Sequence, residues 1–250
     1  MEATDWDGLC KNYHQEIVSP LHKEVKNPLL STLQQIKDAK SKVVADIGCG
    51  RGEILDLLAE QFKTVHALDF SPAMITMAQQ NATKENIEFA VRDMRSLRFR
   101  QRFDVAVAVN SVIMPRISDV NQALRSIYSS LKKGGEFYAI FPSMDTILYQ
   151  GFLILEQQIR RHKDEQKALQ HTKRLMERKR YNFLRGTFND NGQRQKFYYD
   201  FELNIRLQDA GFKDIRLAKV LYPWGPNFAS SRYFKNRPPM WDWFVSARKP

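Results

Sequence analysis

Hydrophobic positions change their period along the chain, and the change marks off segments of different structure. Between residues 42 and 143, short runs of apolar residues alternate with stretches in which apolar residues recur every three or four positions. The short runs predict strands that are covered on both faces, and the stretches between them predict helices. Strands that alternate with helices in this way are typical of a parallel sheet with crossover helices.

The predicted strands and helices follow one another without long loops. The strands lie at residues 43–47, 64–68, 87–91, 103–109 and 136–141, and the helices at 53–61, 72–80 and 120–131. The sequence Lys-Lys-Gly-Gly at 132–135 favours the end of a helix, because basic residues suit its last turn and glycine tolerates positive φ. A helix at 200–210 and strands at 212–220 and 243–247 complete the pattern. We predict a Rossmann-like, doubly wound α/β fold whose sheet has seven mostly parallel strands and an antiparallel last strand.

Two segments with helical periodicity lie outside the sheet. Residues 5–37 predict two helices that form a lid, and residues 145–181 predict one long or two shorter amphipathic helices. A loop rich in proline and aromatic residues, 221–241, separates the last two strands. We predict a single domain over 1–250, made of a helical lid (1–41), a cofactor-binding core (42–143), a helical insertion (144–198) and a carboxyl-terminal helix and strand pair (199–250).

The composition narrows the class of protein. Of the 250 residues, 43% are hydrophobic and 27% charged, as in ordinary globular domains. The apolar runs are strand-sized and the first residues lack an apolar stretch, so we expect no membrane segment and a cytoplasmic location. Two cysteines, without His or Cys clusters at ligand spacing, predict neither disulfides nor a metal.

The net charge of +11 is unevenly distributed. Residues 160–180 hold nine Lys or Arg against three Asp or Glu, more than half of the total excess. A solvated helix face is the simplest interpretation, and a lid that attracts an anionic substrate is the functional one. In the functional interpretation the guiding charges are Arg160, Arg161, Arg174 and Arg178.

The clearest chemical signal is a buried strand that ends in alternating glycines, with the sequence Gly-Cys-Gly-Arg-Gly at 48–52. Alternating glycines allow a sharp turn and let a ligand approach the backbone. A dinucleotide-binding loop needs a further glycine at position 53, which is Glu53 here, and its carboxylate would face a pyrophosphate. A nucleotide-like cofactor without phosphate therefore fits this loop better.

S-adenosylmethionine is such a cofactor, and acidic residues stand where it needs them. The Asp46 carboxylate can pair with its ammonium group, and loop N–H groups with Arg51 can bind its carboxylate. Asp69 ends the second strand, where an acidic residue accepts hydrogen bonds from ribose hydroxyls. Asp93 follows the third strand and can accept from the adenine amino group, with Phe70 and Met94 on the ring faces.

These residues resemble the signature of the class I S-adenosylmethionine-dependent methyltransferases, in which acidic residues surround a Gly-x-Gly-x-Gly loop. The resemblance covers residues 42–143 well, the carboxyl-terminal strand pair loosely, and the insertion not at all. The chain is most similar to the small-molecule branch, in which an aromatic residue of an amino-terminal helix, here Trp6 or Tyr13, closes over the cofactor. Residues 110–113 read Asn-Ser-Val-Ile and lack the two prolines of the branch that methylates nucleobases and glutamine, which disfavours those targets.

The resemblance completes the predicted site. The predicted cofactor-binding residues are Tyr13, Asp46, Gly48, Cys49, Gly50, Arg51, Gly52, Asp69, Phe70, Met74, Asp93, Met94, Asn110 and Ser111. Candidates for a catalytic role are His14, Tyr13 and Asn110, whereas His162, His171 and Asp104 are interpreted as packing, surface or structural residues. For Trp224, Tyr233, Trp241 and Trp243, lining the pocket and covering the core both stay open.

The predicted function is in-line transfer of the sulfonium methyl to a small-molecule acceptor, without a metal. The acceptor is expected to be partly apolar, aromatic or anionic. An RNA methyltransferase is an alternative that the charge favours, although no RNA-binding module is recognisable. A non-catalytic binding protein or scaffold of the same fold is a second alternative, which the intact glycines and acids disfavour.

Overall fold

The strands and crossover helices follow the alternation that the sequence predicts. A computed structural model describes residues 19–177, 181–190, 193–224, 234 and 236–250. Its strands are β1 (Val43–Ile47), β2 (Thr64–Asp69), β3 (Ile87–Val91), β4 (Phe103–Val109), β5 (Leu131–Phe141), β6 (Thr187–Asp190), β7 (Gln193–Lys196), β8 (Lys213–Tyr222) and β9 (Met240–Arg248). Its α-helices are α1 (Pro28–Gln34), α2 (Leu55–Gln61), α3 (Pro72–Asn81), α4 (Ile117–Ser130), α5 (Met144–His162), α6 (Glu165–Glu177) and α7 (Asp200–Ala210).

Seven strands form one sheet in the order β3-β2-β1-β4-β5-β9-β8. Strands β1 to β5 pair in parallel, and β9 runs antiparallel to both of its neighbours. The predicted fold class is therefore confirmed. Because the strand order reverses beside β1, the carboxyl ends of β1 and β4 flank the crevice in which ligands of open α/β sheets bind.

Helices cover both faces of the sheet and enclose a core on each side. On one face α4 and α7 bury Leu124, Ile127 and Leu207, and on the other α1 and α2 bury Leu33 and Leu58. Because helices cover both faces, the central strands are continuous apolar runs and do not alternate between apolar and polar residues.

Strand β5 begins five residues earlier than predicted. Leu131 already pairs with Phe103, and the register shifts before Val105 pairs with Glu136. Gly134, with φ of +76°, lies within the strand as part of this irregularity. Helix α4 already ends at Ser130, before the glycine pair. The two glycines therefore belong to a bulge in β5.

The insertion consists of two helices and a hairpin. Helix α5 is capped by Ser143, whose hydroxyl accepts from the Thr146 N–H at 3.1 Å, and the chain reverses at Lys163 with φ of +52° before α6. The two helices match the second of the predicted forms. The antiparallel pair β6-β7 was not predicted from the sequence.

At the amino terminus, the segment 5–37 that predicts two helices is described only from residue 19 onward. The described part of this segment contains α1, whose Asn27 cap accepts from the Leu29 N–H at 2.8 Å. Residues 5–18 of the two predicted helices lie outside the described residues. In the described part of the chain, no helix has the length and apolar character that crossing a bilayer requires.

Candidate functional site

A cavity of about 380 Å³ opens at the carboxyl edge of the sheet, beside the point where the strand order reverses. Nine of the predicted cofactor-binding residues line it: Gly48, Gly50, Asp69, Phe70, Met74, Asp93, Met94, Asn110 and Ser111. Eight lining residues were not predicted: Arg92, Arg95, Val109, Ile113, Met114, Pro115, Arg116 and Asp119. Asp46, Cys49, Arg51 and Gly52 do not line it, and Tyr13 lies outside the described residues.

The two lining glycines have different tasks. Both have positive φ, +76° at Gly48 and +53° at Gly50. A Cβ on Gly48 would lie 2.3 Å from the Cβ of Ser111, whose hydroxyl donates to the Ile47 carbonyl at 2.7 Å. A Cβ on Gly50 would have no atom within 4 Å. Gly48 therefore permits close packing of β1 on the residue after β4, whereas Gly50 leaves open space for a ligand.

The first N–H groups of the glycine loop face β2. Gly48 and Cys49 both donate to the Leu68 carbonyl, at 2.6 and 3.0 Å, and Gly50 donates to Asp69 Oδ2 at 3.0 Å. These bonds hold the loop in place. They also engage the N–H groups of residues 48–50, which are among the loop N–H groups predicted to bind a ligand carboxylate.

Two buried carboxylates lie behind the loop. Asp46 is 1% exposed and Asp69 is 7% exposed. Burial, and then the charge of Asp69, raise the pKa of Asp46 to about 7. The Asp46 Oδ2 atom has no hydrogen-bond partner among the described residues. Such a carboxylate is stabilised in its ionised form by a cation, which is the chemistry predicted for Asp46.

The thiol in the loop is not an activated nucleophile. Burial, and then the charges of Asp46 and Asp69, raise the pKa of Cys49 well above its usual value. A thiol with a raised pKa carries little thiolate at neutral pH. The Cys49 side chain is accordingly a packing residue of the loop.

Alternating charges run along one wall of the cavity. Asp93 accepts from Arg95 through Nε, at 3.1 and 2.9 Å, through Nη2 at 2.6 Å and through the backbone N–H at 2.8 Å. Asp119 lies 3.5 Å from Arg95 Nη1 and accepts from Arg116 Nε at 3.0 Å. Burial alone would raise the pKa of Asp93, but Arg95 outweighs it and lowers that pKa. The sequence did not predict a role for Arg95, Arg116 and Asp119, because no motif links them.

Asn110 belongs to a polar cluster behind the cavity. Its φ is +47°, and its Nδ2 donates to Asp242 Oδ2 at 3.3 Å. Asp242 also accepts from the Tyr222 hydroxyl at 2.6 Å and from the Ser143 N–H at 3.2 Å, and burial raises its pKa. The Asn110 amide therefore donates to another side chain of the protein, which weakens its case as a catalytic group.

Other candidates lie away from this cavity or outside the described residues. Arg160, Arg161 and Arg174 do not line the cavity, and the same holds for Trp224, Trp241 and Trp243. Trp6, Tyr13, His14, Arg178 and Tyr233 lie outside the described residues. Asp104 accepts from the Val43 N–H at 2.8 Å and pairs with Lys132 at 2.8 Å, as a structural residue would. In the part of the chain described, no three His, Cys, Asp or Glu side chains gather as a metal site requires.

Comparison with known proteins gives the family of the core. A family model described as a methyltransferase domain matches residues 44–135. The malonyl-[acyl-carrier protein] O-methyltransferase of Acetivibrio thermocellus is 28% identical over 129 residues, which cover 50% of this chain and 44% of that protein. The ubiquinone biosynthesis O-methyltransferase of Coxiella burnetii is 28% identical over 125 residues, 48% of this chain and 52% of that one. The chain thus spans about half the length of the curated relatives it matches.

A solved structure extends the likeness of the fold beyond the core. The N-methyltransferase NodS from Bradyrhizobium japonicum, in complex with S-adenosyl-L-homocysteine, has a TM-score of 0.60 and 12% identity. The match covers 98% of each chain.

Proposed function

We propose that this chain, which belongs to the class I S-adenosylmethionine-dependent methyltransferases, transfers the methyl group of that cofactor to a small-molecule acceptor. The observation that carries the proposal is the buried pair of carboxylates, Asp46 and Asp69, behind a glycine whose missing Cβ leaves open space. A pyrophosphate would be repelled by this pair, whereas a cationic amino acid joined to a ribose suits it.

The residues present fit the cofactor. Asp46, with one oxygen lacking a partner among the described residues, would hold the ammonium group. Asp69 accepts N–H groups from Gly50 and Ser71, and its oxygens would accept the ribose hydroxyls as well. Met74 would join Phe70 and Met94 against the adenine. Asp93 already accepts four hydrogen bonds from Arg95, so its predicted contact with the adenine amino group would add to these.

The cofactor supplies a methyl group on a positive sulfonium, which is already a strong electrophile. The protein then has to align the acceptor behind that methyl and exclude water. Three consecutive lining residues in the loop after β4 are apolar, Ile113, Met114 and Pro115, which suits both tasks. A dry wall of this kind would also hold the apolar part of an acceptor.

The acceptor is a small molecule that carries a negative charge. Arg116 follows the apolar wall directly and lines the same cavity, and among the described residues its Nε alone has a partner, Asp119. The other two guanidinium nitrogens of Arg116, which have no partner among the described residues, would bind a carboxylate or phosphate of the acceptor. Two curated relatives are named as O-methyltransferases, one of malonyl-[acyl-carrier protein] and one of ubiquinone biosynthesis, which supports an oxygen nucleophile.

Binding and transfer are tested separately. Calorimetry with S-adenosylhomocysteine tests the cofactor site, and failure to bind at high micromolar protein would overturn the proposal. Incubation with methyl-labelled cofactor and matched acceptors, 4-hydroxybenzoate against its neutral amide, tests the acceptor. We expect label on the carboxylate compound, and Arg116→Gln to reduce it. Label on added RNA, with a yield that falls steeply with salt, would favour the RNA alternative.

A further inference from the structure

The segment that joins the hairpin of the insertion to α7 touches the loop that follows β4. The Tyr198 hydroxyl donates to the Val112 carbonyl at 2.6 Å, and the Lys196 N–H donates to the Ile113 carbonyl at 3.0 Å. Two consecutive carbonyls of one loop are thus held by two residues of the insertion. The loop continues directly into the apolar wall of the cavity, which includes Ile113 and Met114.

Tyr198 is itself fixed to the end of β5. Its N–H donates to the Pro142 carbonyl and its own carbonyl accepts from the Met144 N–H, both at 2.8 Å. Its ring is fully buried and packs edge-on against Phe141, with ring centroids 5.0 Å apart. Since the backbone of Tyr198 is tied to β5 and its hydroxyl to Val112, the length of this side chain sets the distance between the two.

A buried ion pair fixes the same segment from the other side. Lys196 has no exposed surface, and its Nζ lies 2.6 Å from Glu202 Oε2 on α7. The other oxygen of Glu202 accepts from Arg206, which donates to Asn121 of α4 at 2.8 Å. Buried pairs of this kind need good geometry to offset their desolvation, so they favour one arrangement of the groups they join. The hairpin is in this way locked to α7 and α4.

We propose that Tyr198 is a positioning residue for the acceptor side of the cavity. Through the Val112 carbonyl it sets where Ile113 and Met114 stand, and so how the acceptor is oriented. Its effect on the reaction rests on the proposed function, whereas its effect on the loop does not. The insertion, which the family resemblance does not cover, thereby acts on acceptor recognition through the hairpin and not through its basic helices.

The test compares Tyr198→Phe with Tyr199→Phe. Tyr199 is a matched control, because its hydroxyl also donates to a backbone carbonyl, that of Phe183 at 2.9 Å, but away from the loop. Methyl NMR with ¹³C-labelled methionine reads out Met114 in the wall and Met74 in α3, with assignments from Met→Leu variants. We expect the Met114 resonance to shift or broaden in Tyr198→Phe only, and the Met74 resonance to stay in place in both variants.

Binding and kinetics separate the two proposals. In Tyr198→Phe the dissociation constant of S-adenosylhomocysteine should change by less than about twofold, because Ser111, which lies between Val112 and the glycine loop, keeps its own hydrogen bond to the Ile47 carbonyl. With an acceptor that the wild type methylates, kcat/KM should fall about tenfold in Tyr198→Phe and stay unchanged in Tyr199→Phe. A merely structural role would lower the unfolding midpoint and leave Met114 and kcat/KM alone.

An unmoved Met114 resonance in a folded Tyr198→Phe would overturn the positioning proposal even if the cofactor binds. Absence of S-adenosylhomocysteine binding in the wild type would instead overturn the proposed function, while the Met114 comparison would still decide the role of Tyr198. Should Tyr198→Phe fail to fold, Lys196→Leu loosens the same segment from α7 and should shift Met114 in the same way.

Discussion

Asp46 should make the binding of S-adenosylhomocysteine depend on pH around neutrality. Burial, and then the charge of Asp69, raise the pKa of Asp46 to about 7, so that in the free protein the carboxyl is largely protonated below that pH. The ammonium group of the ligand pairs only with the ionised carboxylate. Binding therefore has to displace the proton, and affinity rises as the pH rises through 7.

The magnitude follows from the fraction of Asp46 that is ionised. With a pKa of about 7, the observed dissociation constant exceeds its high-pH value about 1.1-fold at pH 8, about twofold at pH 7 and about elevenfold at pH 6. Affinity should thus fall about tenfold between pH 8 and pH 6. At pH 7, about half a proton should leave the protein for each ligand bound.

Isothermal titration calorimetry measures both quantities, if the titrations at each pH are repeated in buffers of different ionisation enthalpy. Asp46→Asn should bind more weakly and show a flat profile over this range. Asp104→Asn is the matched control, since Asp104 pairs with Lys132 and does not line the cavity, and it should keep the slope of the wild type. A flat profile for the wild type would refute the reasoning, and a slope retained in Asp46→Asn would assign the titration to another group.

Three further predictions concern stability and the glycine loop. Because the pKa of Asp46 is raised, its ionisation destabilises the free protein increasingly between pH 4 and 7, and Asp46→Asn should stabilise the protein by up to about 4 kcal/mol at pH 8. In urea unfolding the gain in stability should be smaller at pH 5 than at pH 8, and equal gains would contradict this cause. Gly50→Ala should weaken S-adenosylhomocysteine binding at least about tenfold, because the new methyl group fills space that the ligand would occupy. Its loss of stability should be about 1 kcal/mol, as in the control Gly134→Ala, where the glycine also has positive φ but lies away from the cavity. An unchanged calorimetric affinity would show that the ligand does not approach Gly50. Gly48→Ala should lose about 3 kcal/mol or more in urea unfolding, since the new methyl would lie 2.3 Å from a side-chain carbon after β4, and a stability like that of Gly50→Ala would speak against this contact.

Local signals decided which parts of the fold could be predicted. The bounds of β1, β3 and β4 agree with prediction, because each is an apolar run with polar or turn residues on both sides. The early start of β5 depends on its pairing with β4 across a bulge, and such a contact has no period in the sequence. The hairpin β6-β7 is largely polar and is tied to α7 by the Lys196–Glu202 ion pair, so it too lacks a periodic pattern in the sequence.

The same distinction applies to the site. Residues at the ends of β1, β2 and β4 could be brought together from the sequence, because the carboxyl ends of parallel strands meet at one edge. The wall made by Arg95, Arg116 and Asp119 depends on loop conformation, and 21 positions separate its two arginines. Its residues are exposed or charged in ways that surface residues share, so only the structure indicates that they face the cavity.

The energetics of Asp46 connect the fold to its function. A carboxylate placed beside Asp69 in the interior weakens the free protein at neutral pH, and no hydrogen bond from a described residue reaches its Oδ2 atom. A bound ammonium group would lower the pKa of Asp46 again and recover the free energy that ionisation costs the free protein. The ionised Asp46 carboxylate would thus lower the stability of the free protein and favour binding of the cofactor. Asp46→Asn should therefore be more stable than the wild type and bind the cofactor more weakly. A variant that lost both would indicate that Asp46 supports the loop rather than the ligand.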